Sequence, residues 1–552
     1  MRHGGKILAD QLDIQGVKTA FTVPGESFLA ALDGLHDSHG IQTVICRQEG
    51  GAAMMAEAWG KATGTPGICF VTRGPGAANA MSGLHIAHQD STPMIMFLGL
   101  PASDTEDREA FQEIETKQLF SSFVKWVAVI RDINRIPEYI SRAFHMAQSG
   151  RPGPVVLGLP EDMLASMADV ADSKPARIAV PAPTANSMDQ LQALLSDAKK
   201  PLMIVGGSGW STEVRDRVQA FSKRFGLPVA TSFRCQDYVD NREGTYVGHA
   251  GVGMDPTLAK AISDADTLLV VGSRLGEMTT NGYKLVDIPN PRQRLIHVHP
   301  NADELGSVYR PELPIVSSAA AFATALETLQ SPPAPEWAEW LDNARASYLK
   351  TIEPLPTPGK LQYAEVLKSL SDTLPENTVM CNGAGNYAAF LHRYYQYKGY
   401  RTQLAPTSGS MGYGLPAAIA AKLADPSKTV LAFAGDGCFM MTCQELATAI
   451  QYEAPVIIIV VNNGMYGTIR MHQEREYPGR VNGTRLVNPD FAAFARSFGA
   501  HGETVVSTEE FAPAFKRALA SGTSAVIELK TDPEALTPRQ TLSQIRAEAL
   551  KK

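Results

Sequence analysis

Short apolar runs alternate along this chain with longer stretches whose apolar residues recur at helical spacing, as parallel sheets with crossover helices require. The pattern predicts strands at Thr43–Cys46, Ile68–Thr72, Met94–Leu98 and Val155–Leu159. A second group falls at Leu202–Val205, Leu268–Val271 and Leu295–Val298, and a third at Thr429–Ala434, Val456–Val461 and Ala525–Leu529. The opening MRHGGKILADQLDIQG starts an amphipathic helix. Two breaks interrupt the alternation: the small, polar, Pro-rich Ala168–Ser187, and the pair SPPAPEW and EPLPTPGK between residues 331 and 360. The expected fold class is α/β, with three doubly wound parallel-sheet domains over residues 1–165, 186–332 and 358–552. Only weakly does the sequence suggest that the first and third blocks share an architecture.

Composition narrows the field. At about 150 residues per domain, a chain of 552 calls for three or four. With 44% hydrophobic and 19% charged residues it reads as globular. A net charge of −7 leaves no basic footprint, so neither nucleic acid nor an anionic membrane is an expected partner. No apolar run approaches the roughly 20 residues that span a bilayer, and the N-terminus has no apolar signal core. Cys46, Cys69, Cys235, Cys381, Cys438 and Cys443 sit at neither zinc nor redox spacing, so reduced thiols in a cytoplasmic protein are expected.

The most informative segment runs from Thr429 to Asn463: a strand, then Gly435-Asp436-Gly437, a helix predicted over Met441–Ala454, a second strand, and Asn462-Asn463. In a parallel sheet the carboxyl ends of successive strands share one edge, where ligands bind. Asp436 and Asn463 are thereby brought together. A carboxylate, an amide oxygen and a nearby carbonyl are hard oxygen ligands suited to magnesium completed by phosphate oxygens and water. The glycines admit a diphosphate to the backbone, and a helix N-terminus offers it free N–H groups.

Gly-Asp-Gly followed after 24 residues by Asn-Asn resembles the cofactor motif of thiamine diphosphate enzymes, and the likeness extends over nearly the whole chain. The group it resembles is acetolactate synthase-like and includes acetolactate synthases, pyruvate oxidases and related 2-oxo-acid decarboxylases. That resemblance implies pyrimidine-binding, central and diphosphate-binding domains in this order. It also implies thiamine diphosphate and Mg2+ as cofactors, and a homodimer or homotetramer with active sites between subunits. Carried over by position, the metal ligands are Asp436, Asn463 and the Met465 carbonyl. Gly435, Gly437 and Cys438 flank them, Asn386 and Tyr387 belong to the second diphosphate loop, and Gly409 and Met411 hold the pyrimidine and the bent cofactor.

Glu49 lies in Arg47-Gln48-Glu49-Gly50-Gly51, where a predicted strand gives way to a helix. Taken alone it reads as a helix-start charge, favoured by the macrodipole. With the other motifs in register, the resemblance makes it the acid–base residue that shares a proton with the pyrimidine and promotes loss of the thiazolium C2 proton. Thr72 and Asn79, in TRGPGAAN, match a loop near that ring.

The reaction is less legible. Phe111 and Gln112, with Lys125, match a segment bordering the substrate pocket of acetolactate synthases, and Gln89 matches a pocket-lining position. Arg274 falls where those synthases hold a carboxylate, a task suited to a guanidinium fork, although a structural ion pair is equally consistent. His88, like His85, is either a proton relay or a helix-surface histidine. Glu26 is either a second acid–base group or a helix-start charge. His472 replaces a tryptophan of the biosynthetic synthases, which puts their usual acceptor preference in doubt. Arg-Leu-Gly-Glu-Met and His297-Val298-His299-Pro300 lack the acidic residue expected of FAD-carrying synthases, so the balance is against FAD. The expected function is a carboligase that decarboxylates a 2-oxo acid and adds the activated fragment to a second carbonyl. The alternative is a simple decarboxylase releasing an aldehyde.

Overall fold

The apolar runs form three six-stranded sheets whose neighbouring strands are all parallel. The computed structural model of the chain describes residues 1–332 and 335–551; Pro333 and Ala334, inside the second Pro-rich break, lie outside the described residues. From one edge, the first sheet reads Gln42–Ile45, Thr19–Thr22, Gly67–Thr72, Met94–Leu100, Pro154–Pro160 and Trp126–Val129. The third reads Gln403–Leu404, Val379–Asn382, Val430–Gly435, Ile457–Asn462, Ala525–Lys530 and His501–Val505. Numbered along the chain, both have the order 2-1-3-4-6-5, so the weak likeness of the two blocks is a shared topology. The central sheet has the order 3-2-1-4-5-6. Winding reverses between the first and third strands of each outer sheet, and loops leaving the carboxyl ends there border a crevice.

Every predicted strand is present within two residues at either end. Strands missed by the pattern include Thr19–Thr22, Trp126–Val129, Gln403–Leu404 and His501–Val505, which are short, polar or at sheet edges. The helix expected over Met441–Ala454 is a correction. It is a short helix at Asp436–Phe439, a 3-10 turn at Cys443–Glu445 and a second helix at Leu446–Gln451. Between the pieces, the Thr442 hydroxyl donates to the Gly412 carbonyl at 2.6 Å and turns the chain toward a neighbouring loop.

The first and third domains share one hydrophobic core, in which the helix Glu49–Thr63 packs on both Arg73–Asp90 and Gly414–Ala424. Close approach depends on small residues: a Cβ on Gly83 would lie 2.5 Å from the Ala53 backbone, and one on Gly51 would lie 2.5 Å from a Glu445 oxygen. Among the described residues, no helix is long and apolar enough to cross a membrane.

Candidate cofactor and catalytic site

Gly435 ends its strand in register with Val461, so Asp436 emerges beside Asn462 and Asn463. Alternation along a strand sends the two asparagines to different tasks. Asn462 points inward, its Nδ2 donating to Glu528 Oε1 at 2.6 Å and its Oδ1 accepting from Gly464 N at 3.0 Å and Asn488 Nδ2 at 3.0 Å. Asn463 lines a cleft of about 240 Å³ together with Asp436, Met465, Asn386, Gly409 and Met411. Asp436 is 2% exposed, and its Oδ2 accepts from Gly464 N at 3.0 Å and Asn488 Nδ2 at 2.7 Å. Burial raises this carboxyl's pKa above the ordinary range. Among the described residues no cationic side chain pairs with it, and no cluster of three His, Cys, Asp or Glu side chains exists. A buried carboxylate without a cation, next to an amide oxygen, fits a hard divalent ion that takes its other ligands from phosphate and water.

Three loops close around this cleft, and Cys438 ties them together. Its sulfur accepts from Gly412 N at 3.2 Å and meets the Tyr387 hydroxyl at 3.4 Å. A Cβ on Gly437 would stand 2.5 Å from the Tyr466 ring, so the turn after the strand needs glycine. Asn386 opens the helix Asn386–Tyr394 and accepts from the Thr468 hydroxyl at 2.9 Å. Gly409 holds φ at +70°, a conformation that favours glycine.

All residues lining this cleft lie between 357 and 536, and Glu49 is not among them. Glu49 begins its helix after the strand Gln42–Ile45, where its Oε2 accepts from Asn79 Nδ2 at 2.9 Å on a partly exposed surface. A Cβ on Gly76 would sit 3.5 Å from Glu49 Oε1 and 3.3 Å from Thr72 Cγ2, so these groups border one small space. The Thr72 hydroxyl is 2.8 Å from that of Ser27, and Glu26 pairs with Arg73 at 3.5 Å while opening a 3-10 turn. The chain thus carries two half-sites at equivalent edges of two like sheets.

Models of the thiamine pyrophosphate enzyme N-terminal TPP-binding, central and C-terminal TPP-binding domains match residues 2–119, 188–326 and 383–529. The acetolactate synthase large subunit of Corynebacterium glutamicum is 31% identical over 534 residues, covering 93% of this chain and 84% of that protein. That of Lactococcus lactis is 30% identical over 90% of this chain and 87% of its own length. The chain belongs to the thiamine pyrophosphate enzymes of acetolactate synthase type. Escherichia coli acetolactate synthase isozyme 2 large subunit, 28% identical, is matched over 96% of both chains.

Within this thiamine pyrophosphate enzyme the remaining predicted residues divide. Arg274 and Gln89 line a larger cavity of about 970 Å³ that shares Ala384, Gly385, Asn386, Gly409 and Thr468 with the cofactor cleft. Arg274 Nη2 donates to the Gln89 carbonyl at 3.2 Å, and among the described residues no carboxylate pairs with it. Phe111 is 70% exposed with Arg73 stacked at 5.8 Å, and the Gln112 carbonyl accepts from Gly74 N at 2.9 Å, placing that loop over the Glu49 half-site. Like Phe111 and Gln112, a further three residues are not brought into either cavity. Lys125 precedes the strand Trp126–Val129, at the amino edge of the sheet, where its Nζ donates to the Ser149 carbonyl at 2.6 Å and burial brings its pKa down to about 8. His88 is half-buried, its pKa lowered by burial and then by Arg151 and Arg274. His472 is exposed on the helix Gly467–Glu476.

Sequence reasoning missed Asn488, Glu445 and Arg234. Asn488 comes from a loop with no periodicity; its only signal is the following proline. Glu445 is fully buried and accepts from Arg47 N at 3.1 Å, holding the entry to the Glu49 helix. Arg234, from the central domain, donates to the carbonyls of Gly383, at 3.0 Å, and Pro406, fastening two loops of the cleft from behind.

Proposed function

We propose that this protein is a thiamine diphosphate- and Mg2+-dependent carboligase acting on 2-oxo acids, in keeping with relatives named acetolactate synthase large subunits. One observation carries the reading: the uncompensated Asp436 carboxylate beside Asn463, at the same edge of its sheet as Glu49 occupies in the other. Asp436, Asn463 and the Met465 carbonyl would hold Mg2+, and backbone N–H groups opening the helix Asn386–Tyr394 would meet the diphosphate. Gly409 and Met411 would receive the pyrimidine side. When bound, thiamine diphosphate supplies an acidic C–H and an electron sink adjacent to the substrate carbonyl. Glu49 would hold and pass a proton at the pyrimidine ring nitrogen, its Oε2 fixed by Asn79 and its Oε1 left for that partner. Arg274, with Gln89, would bind a substrate carboxylate in the larger cavity.

Because Glu49 and the Asp436 cleft are separate within one chain, a complete site takes Glu49 from one subunit and the cleft from another, in a homodimer or homotetramer. FAD is left out of the proposal. Where the central sheet would need an acidic residue, His297 Nε2 engages the Ser273 carbonyl at 2.8 Å and His299 is held near pKa 4 by burial. Glu304 nearby is taken by Arg151 at 2.9 Å. The test is product analysis after incubation with thiamine diphosphate, Mg2+ and pyruvate, with and without added acceptors. A condensation product is expected; an aldehyde as sole product under every acceptor would leave the simple decarboxylase standing instead.

A further inference from the structure

The Glu49–Thr63 helix carries two more ionisable side chains, Glu57 and Lys61, that face the C-terminal domain rather than solvent. Glu57 is fully buried; its Oε2 accepts from the Tyr413 hydroxyl at 2.6 Å and its Oε1 from the Thr92 hydroxyl at 2.6 Å. Lys61 Nζ stands 3.2 Å from Glu57 Oε1, pairs with Asp90 and donates to the Ala405 carbonyl at 3.0 Å. Asp90 Oδ1 accepts from the Thr407 backbone N–H at 2.9 Å and from the Thr407 hydroxyl. Ala405, Thr407 and Tyr413 all belong to the loop that bears Gly409 and Met411 at the cofactor cleft. Its bend is held at both ends by one helix of another domain.

Two carboxylates and an ammonium are costly to bury, and apolar side chains would cover the same surface without that cost. What directional bonds add is a fixed register between loop and helix, which non-directional packing does not specify. We infer that Glu57, Lys61 and Asp90 are positioning residues: the buried network they form sets the place of Gly409 and Met411 and thereby the affinity for the pyrimidine half of thiamine diphosphate. This rests on the reading of the cleft as the thiamine diphosphate site.

The test is calorimetric titration of thiamine diphosphate, at saturating Mg2+, into the full-length protein and three variants, with thermal unfolding measured alongside. Tyr413→Phe and Thr407→Val each remove one bond between network and loop. Each is expected to weaken binding about tenfold, the effect of losing a hydrogen bond to a charged group. Thr92→Val removes a bond to Glu57 that does not reach the loop. It is expected to lower the unfolding temperature while affinity stays within about twofold. Either loop variant suffices if the other does not fold. Unchanged affinity in the loop variants, or an equal loss in Thr92→Val, would overturn the inference while leaving the cofactor reading intact. A wild-type protein that takes up no thiamine diphosphate would overturn both.

Discussion

Two carboxylates face different demands in this molecule, and their surroundings differ accordingly. Asp436 is buried, meets only neutral donors among the described residues and is proposed to hold a cation; Glu49 stays near the surface with one oxygen fixed by Asn79. Asp436→Ala is therefore expected to abolish Mg2+-dependent affinity for thiamine diphosphate in calorimetry, and full affinity would place the metal elsewhere. Glu49→Gln should keep that affinity but slow exchange of the cofactor C2 proton and turnover by about 100- to 10,000-fold, the range for loss of general acid–base catalysis. Proton exchange at the wild-type rate would remove Glu49 from its role. Asn488→Ala takes one of two donors from Asp436 Oδ2 and should weaken metal-dependent binding about 10- to 100-fold. Asp436 and Asn463 were legible because strand ends in a parallel sheet meet at one edge. Asn488 was not, since a loop side chain that folds back onto a ligand leaves no period in the sequence.

Among the elements, strands built on a long apolar run were legible, whereas Thr19–Thr22, although fully buried, was missed because threonines begin and end it. Five consecutive apolar residues open Ile457–Asn462, a strand buried on both faces. Edge strands such as His501–Val505 bury less, carry polar residues and look like loops. The break after Asp436–Phe439 was hidden for another reason: Thr442 bonds to Gly412, a distant loop, and a local pattern does not register that contact. Element packing also governs the proposed catalytic half-site, since Glu49 and Asn79 reside on two helices in contact at Gly83 and Ala53. Gly83→Ala should force these helices apart, costing about 1–3 kcal/mol of stability as overpacking does. It should also lower turnover more than thiamine diphosphate affinity, as Glu49 shifts and the Asp436 cleft does not. Thermal unfolding and steady-state kinetics check both parts.

For the whole molecule, repetition of one strand order in the outer domains is the organising fact. It places the Asp436 cleft and the proposed acid–base residue Glu49 at matching edges, which a sequence with little resemblance between its halves barely reveals. The domain seams carry buried ionisable groups, and these set the pH response. Burial holds His249 and His299 near pKa 4, below the 6.5 of the unfolded chain, so the fold is stabilised relative to the unfolded state as pH rises from about 4 to 6.5. Asp237, raised by burial to about 6 from 3.8, works oppositely over part of that window. His88, His297 and His392 are lowered likewise and Glu57, Asp436 and Glu445 raised, so with five histidines against four carboxyls the unfolding temperature should fall between pH 7 and 4. Glu474 adds to the loss at still lower pH, since its bond to Arg546 depresses it to about 2 from 4.5. A flat profile from pH 7 to 4 would contradict this balance.

Carboligation is read out by the ratio of 2-oxo acid consumed to carbon dioxide released. With pyruvate as both donor and acceptor, thiamine diphosphate and Mg2+ present, two acids should be consumed for each carbon dioxide. One acid per carbon dioxide, with free aldehyde accumulating to match, would contradict it.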